Sequence, residues 1–171
     1  MAHLNDWIPK EPTMDYELNE TTIRKVLATV DAGLVEGMGK PVPGQMCVEA
    51  AVCYAMGLPH SDRPVCVGAA VRAFATYLND AYWSSNAARA AGMRKLAVAQ
   101  LGSEQIDQQA FANIVAEQTI RRVLPFALRA AAKVNPDYAG PLEDAAVRCE
   151  SEGVKEAAEA ARKVAYDAAA A

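Results

Sequence analysis

The sequence predicts an all-α protein, a compact bundle of about six helices with an extended N-terminal arm. Three observations lead there. Apolar residues make up 52% of the 171 residues but aromatics only 6%, so the interior is built from Ala, Val, Leu and Met. Ala favours helix and carries little strand signal. Apolar positions recur at helical spacing, no alternating strand pattern occurs, and Gly, Pro and capping residues punctuate the pattern at short intervals.

Residues 1–18 read as the arm. Pro9 and Pro12 bar a helix, and Trp7, Ile8 and Tyr16 are apolar anchors for the chain's own core or for a second subunit, the expected oligomer contact. A single domain is expected over 19–171. Its first helix is placed over Thr21 to Glu36, capped by Asn19, with Ile23, Val26, Leu27, Val30 and Leu34 on one face and Gly37 and Gly39 as the stop. The second, Gln45 to Met56, is apolar nearly all round, which suits the centre of a bundle. Ser61 or Asp62 is the expected cap of a third, Val65 to Tyr82, with Pro64 near its start. Its inward residues are expected to be Val67, Ala70, Val71, Phe74, Tyr77, Leu78 and Ala81.

A fourth helix opens at Ser84 or Ser85 and runs to Leu101, stopped by Gly102. Asp107 caps a fifth, whose apolar positions include Phe111, Ile114, Val115, Ile120, Val123 and Leu124; Pro125 kinks or splits it. After "NPDYAGP" a last helix from Leu142 runs into the Ala-rich end, with Glu159 and Lys163 paired at i,i+4.

A formal net charge of −4 argues against a general nucleic-acid binder. No run approaches the ~18 apolar residues of a membrane span, and "MAHLNDWIPKEPT" lacks the pattern of a secretory signal. The expectation is a cytoplasmic protein, no membrane, and four free thiols: Cys47, Cys53, Cys66 and Cys149. Charge is unevenly spread. Residues 84–134 carry seven Lys/Arg against three Asp/Glu, whereas 135–171 carry four against eight, so the acidic tail can fold over the basic middle.

The stretch "GQMCVEAAVCYAMGLPHSDRPVC" concentrates reactive side chains. Cys47 is expected in the first turn of the second helix, where backbone N–H groups favour a thiolate, with Glu49 or His60 as base or orienter. Cys47 and Cys53 are six residues apart, about 240° around a helix, and share no face. No C-x2-C or H-x3-H spacing occurs, so neither a metal nor a cofactor is expected. Glu49, alone among apolar residues, must pair with a cation such as Arg63, Arg72 or Arg89, reach the helix N-terminus, or bind something. "LNDAYWSSNAAR" gathers Asn79, Asp80, Trp83, Ser84, Ser85 and Arg89 at one corner, either a capped turn or a recognition corner. Arg121, Arg129 and Lys133 lie on one stripe of the fifth helix with Arg122 beside it. That stripe is a solvated face or the seat of an acidic partner surface.

"GQMCVEAAVCYAMG" is similar to the nucleophile helix of papain-like cysteine peptidases, which implies Cys47 as nucleophile; those enzymes supply a His well downstream, and no His follows His60. "PGQMCVEAAVCYAMGLPHSD", "LNDAYWSSNAARAAGMRKLAVAQLGS" and "TIRRVLPFALRAAA" together resemble an uncharacterised family of Ala-rich helical proteins of bacteria and their phages, over residues 20–170. That resemblance implies no activity. "DRPVCVGAAVRAFA" is also similar to Ala-rich immunity-type proteins. The favoured reading is a non-enzymatic protein-binding module, a phage or mobile-element inhibitor or immunity-type protein. Its expected partner residues are Trp83, Arg89, Arg121, Arg122, Arg129 and Lys133. The alternatives are a cysteine-dependent hydrolase or acyltransferase using Cys47, and an oligomeric structural protein.

Overall fold

The structure, a computed structural model, describes residues 16–170. The arm residues Trp7 and Ile8 lie outside them. Among the described residues the chain is all-α. Its helices are α1 (Glu20–Asp31), α2 (Val48–Ala55), α3 (Ala69–Asp80), α4 (Asn86–Ala99), α5 (Gln108–Gln118), α6 (Leu124–Val134), α7 (Ala139–Glu152) and α8 (Lys155–Ala170). A π turn at Thr119–Val123 joins α5 to α6. Where the sequence reading has one domain over 19–171, contacts divide the chain into two compact units, one ending at Gln108 and one beginning at Gln109.

In the N-terminal unit α2 touches α1, α3 and α4. Every α2 residue but Tyr54 is buried, the consequence of a helix with no polar face. Fully burying Val48 or Val52 contributes roughly 1.5–3 kcal/mol each. Helix α1 starts where expected: the Asn19 side chain accepts from the Thr22 N–H at 3.0 Å, a cap worth about 1 kcal/mol. It ends at Asp31, earlier than Gly37. The chain then loops through 33–47, tied by Val35 N–H to the Met46 carbonyl at 2.9 Å and by a bridge between Gly39 and Met46. Gly39 is required there, because its φ is +70° and a Cβ would run into the Gln45 backbone.

Helix α3 begins at Ala69, four residues later than the sequence suggests, and neither Ser61 nor Asp62 caps it. Its N-cap is Gly68, which has no side chain to offer. The cap comes from further along the chain: Ser103 Oγ accepts from the Gly68 N–H at 3.0 Å, and Gln108 Oε1 from the Ala70 N–H at 3.0 Å. The buried stripe of α3 is Val71, Ala75 and Asn79 at i, i+4 and i+8. Tyr77, expected inward, lies off that stripe and is 78% exposed. Helix α4 is capped by Ser85 as expected, its hydroxyl accepting from the Ala88 N–H at 3.0 Å.

In the C-terminal unit α6, α7 and α8 pack around Leu128, Leu142, Ala146, Cys149, Ala157, Ala161 and Ala168. Small residues let these helices approach closely. Pro125 does split the long helix: it sits in the first turn of α6, directly after the π turn, where its missing N–H costs least. Helix α5 has no buried residue, and Ile114 and Val123 are exposed; in α6 the buried residues are Pro125 and Leu128. The single last helix expected from the sequence is two. Gly153, at φ +65°, ends α7 and lets α8 fold back on it.

Candidate functional site

Cys47 is the N-cap of α2, just outside the first turn where the sequence placed it. Its Sγ accepts from the Ala50 N–H at 3.4 Å and the residue is only 5% exposed. Burial pushes its thiol pKa up, the wrong direction for a nucleophile. Burial likewise raises Cys53 to about 12 and Cys66 to about 11. His60 Nε2 lies 3.2 Å from the Gly39 carbonyl, while its Nδ1 is buried without a partner. No hydrogen bond joins the side chains of Cys47, Glu49 and His60 to one another among the described residues; the Cys47 thiol is met by the backbone of Ala50 and Glu49.

Glu49 is wholly buried, and neither carboxylate oxygen has a hydrogen-bond partner. Desolvation pushes its pKa up to about 8; Arg72 offsets this in part and Asp62 adds to it. The carboxyl is therefore neutral at pH 7, which is how it is tolerated in an apolar centre. The expected close pairing with Arg63, Arg72 or Arg89 is absent among the described residues.

The corner "LNDAYWSSNAAR" is an internal joint. Asn79 Oδ1 accepts from the Val48 N–H at 3.1 Å, and its Nδ2 donates to the Val35 carbonyl at 2.9 Å and to Asp80 Oδ1 at 2.8 Å. Asp80 Oδ1 also accepts from the Gly37 N–H at 2.9 Å. The end of α3 thus pins both the glycine-rich loop and the first turn of α2. Arg89 is buried, donating to the Asn79 carbonyl at 2.7 Å and to Asn86 at 2.6 Å. Trp83 donates to the Leu78 carbonyl at 2.9 Å and lays its ring over Gly92, where a Cβ would collide with it.

The basic stripe is largely engaged within its own unit. Arg121 donates to the carbonyls of Glu150, Ser151 and Glu152 at 2.7–2.9 Å, closing the C-terminus of α7 where the helix dipole favours a cation. Arg129 forks onto Glu150 at 2.5 and 2.9 Å and onto Glu143 at 2.9 and 3.2 Å. These pairs raise the guanidinium pKa and hold Glu150 below the ordinary carboxylate value. Acidic residues of the last segment do cover part of the basic middle. Arg122 and Lys133 stay exposed. Tyr16, the described member of the arm's anchors, donates its hydroxyl to Glu104 of the same chain.

The sequence reading missed a groove along the outer face of α3. It has a volume of about 800 Å³ and is walled by Arg63, Arg72, Thr76, Tyr77, Asp80 and Tyr82. Tyr77 is 78% and Tyr82 97% exposed. Arg72 makes no ion pair among the described residues, while Asp80 is occupied by the loop bonds above. The one usable signal was Asn79: a polar residue in the buried stripe turns Tyr77 outward.

Fold and site together define an all-α protein whose cysteine-rich helix is core and whose open groove lies on a neighbouring helix. No protein-family model, curated protein or solved structure matches the chain. Among the described residues no helix is long and apolar enough to cross a membrane, and no group of three His, Cys, Asp or Glu is placed to hold a metal ion.

Proposed function

We propose that this is a non-enzymatic protein-binding module and that the α3 groove is its partner face. The observation that carries the reading is the pair of exposed tyrosines, Tyr77 and Tyr82, on the wall of a groove with two arginines. Tyrosine and arginine are the residue types that dominate binding energy at protein interfaces, because each combines large contact area with a polar handle. The buried, raised thiols speak against Cys47 as a nucleophile. Four free, buried cysteines suit a reducing compartment, so a cytoplasmic setting belongs to the same proposal. The resemblance to phage and bacterial helical proteins makes an inhibitor or immunity-type role the biological setting.

Replacing Tyr77 and Tyr82 with Ala is expected to leave stability within about 0.5 kcal/mol, since both side chains are exposed. Partner affinity should fall by roughly 10² or more, as for two interface anchors. A photo-crosslinking residue at position 77, introduced in the producing cell, reads this directly. Capture of a discrete second protein, competed by the wild-type chain but not by the double Ala variant, supports the groove. Capture of another copy of the same chain supports the oligomeric structural protein instead. Loss of biological effect on Cys47→Ser in a folded protein, with the tyrosine variant fully active, overturns the binding module in favour of the cysteine enzyme.

A further inference from the structure

Helix α6 buries one side and leaves another bare. Leu128 lies in the core of the C-terminal unit, with Leu124, Ala131 and Ala132 packed beside it. Away from that side, Val123, Phe126, Ala127, Ala130 and Val134 follow at i, i+3, i+4, i+7 and i+11, and all five are exposed. Phe126 is 78% and Val134 76% bare. That spacing makes one continuous apolar stripe along the helix, the pattern of a seam between helices. Between the larger side chains, Ala127 and Ala130 leave a shallow dip that a second helix can approach closely.

The cations along this segment are sorted. Arg121 and Arg129 are tied to α7, through its last carbonyls and through Glu143 and Glu150. Arg122 and Lys133, near the two ends of the stripe, are exposed and make no hydrogen bond or ion pair among the described residues. No acidic residue occurs from Thr119 to Val134. A second copy of this face therefore cannot answer those charges. Laid antiparallel it sets Arg122 near Lys133, and laid parallel it sets each cation beside its twin. An anionic membrane surface suits the stripe poorly, because the chain carries a net charge of −4 and the stripe holds a single aromatic residue.

We propose that this stripe of α6 seats an amphipathic helix of another protein, one with apolar residues at the same spacing and Asp or Glu along the border that meets Arg122 and Lys133. Large side chains of that helix fill the dip over Ala127 and Ala130. Its carboxylates, about three turns apart to match the two cations, fix its register. The inference goes beyond the α3 groove and uses none of that groove's residues.

A synthetic helical peptide of about four turns, with leucines at i, i+4, i+7 and i+11 and glutamates along one border, tests it by NMR titration of the isotope-labelled full chain. Its twin carries lysines in place of the glutamates. The expected result is amide shifts centred on α6, with a Kd on the order of 10 µM for the glutamate peptide and roughly 10-fold weaker binding of the lysine peptide. Arg122→Glu with Lys133→Glu reverses that preference, and Phe126→Ala weakens both peptides; these side chains are exposed, so the variants keep their fold. Tyr77→Ala with Tyr82→Ala leaves the titration unchanged. No binding, equal binding of the two peptides, or shifts centred on α3 overturns the proposal. So does self-association of the free chain that Phe126→Ala abolishes, which gives the stripe to a second copy. Binding to phosphatidylserine vesicles that Phe126→Ala abolishes overturns it in favour of a membrane surface.

Discussion

Replacing Glu49 with methionine is expected to stabilise the N-terminal unit by about 3 kcal/mol at pH 7 and to flatten its dependence on pH. The carboxyl has an ordinary pKa of 4.5 when unfolded and about 8 when folded. Between those values the folded state holds a proton that the unfolded state has released, so stability falls as pH rises. The contribution is fully present below 4.5, declines through the neutral range, and is gone above about 8, where both states are ionised. At ~1.4 kcal/mol per pH unit, the fall reaches about 3 kcal/mol by pH 7. Methionine has similar volume and no charge to desolvate. Urea unfolding at fixed pH from 4.5 to 9 measures the effect. A wild-type curve with no such decline, or one that persists in Glu49→Met, contradicts it. The opposite sign belongs to Glu150, whose lowered pKa makes the C-terminal unit lose stability as pH falls through the carboxylate range.

Asn79→Ala is expected to cost about 3 kcal/mol or more, the largest loss for a polar residue in the N-terminal unit. Asn79 is fully buried and satisfies the Val48 N–H and the Val35 carbonyl. Each buried backbone group left unpaired costs ~1–3 kcal/mol. The damage spreads, because Asn79 also orients Asp80, which holds the Gly37 N–H. Thermal unfolding and amide exchange at the start of α2 read both effects. A loss under about 1 kcal/mol, with Val48 still protected, would show that the joint is not made by this side chain.

What could be seen in the sequence was what local chemistry decides. Asn19 and Ser85 cap the helices they precede, Pro125 breaks the long helix, and the apolar run around Cys53 makes a helix buried at every residue but Tyr54. What could not be seen depended on residues far apart in the chain. The start of α3 is capped from Ser103 and Gln108, some 35 to 38 residues away, so nearby Ser61 and Asp62 misled. Asn79 takes an inward position because its partners, Val35 in the loop and Val48 at the start of α2, come from 44 and 31 residues earlier, and Tyr77 lies off that stripe. Arg121 looked like part of an interaction stripe, yet its partners are the α7 carbonyls that Gly153 leaves open. Gly153 is the local stop signal that separates α7 from α8 within the alanine-rich stretch.

Whether "GQMCVEAAVCYAMGLPHSDRPVC" is core or reactive centre decides between the binding module and the cysteine enzyme. Alkylation of the native protein at neutral pH, read by intact mass and peptide mapping, separates the two. Buried thiols with raised pKa values predict that Cys47, Cys53, Cys66 and Cys149 all resist modification until denaturant is added. Rapid modification of Cys47 alone, with the other three protected, would contradict this and make the N-terminus of α2 an active site.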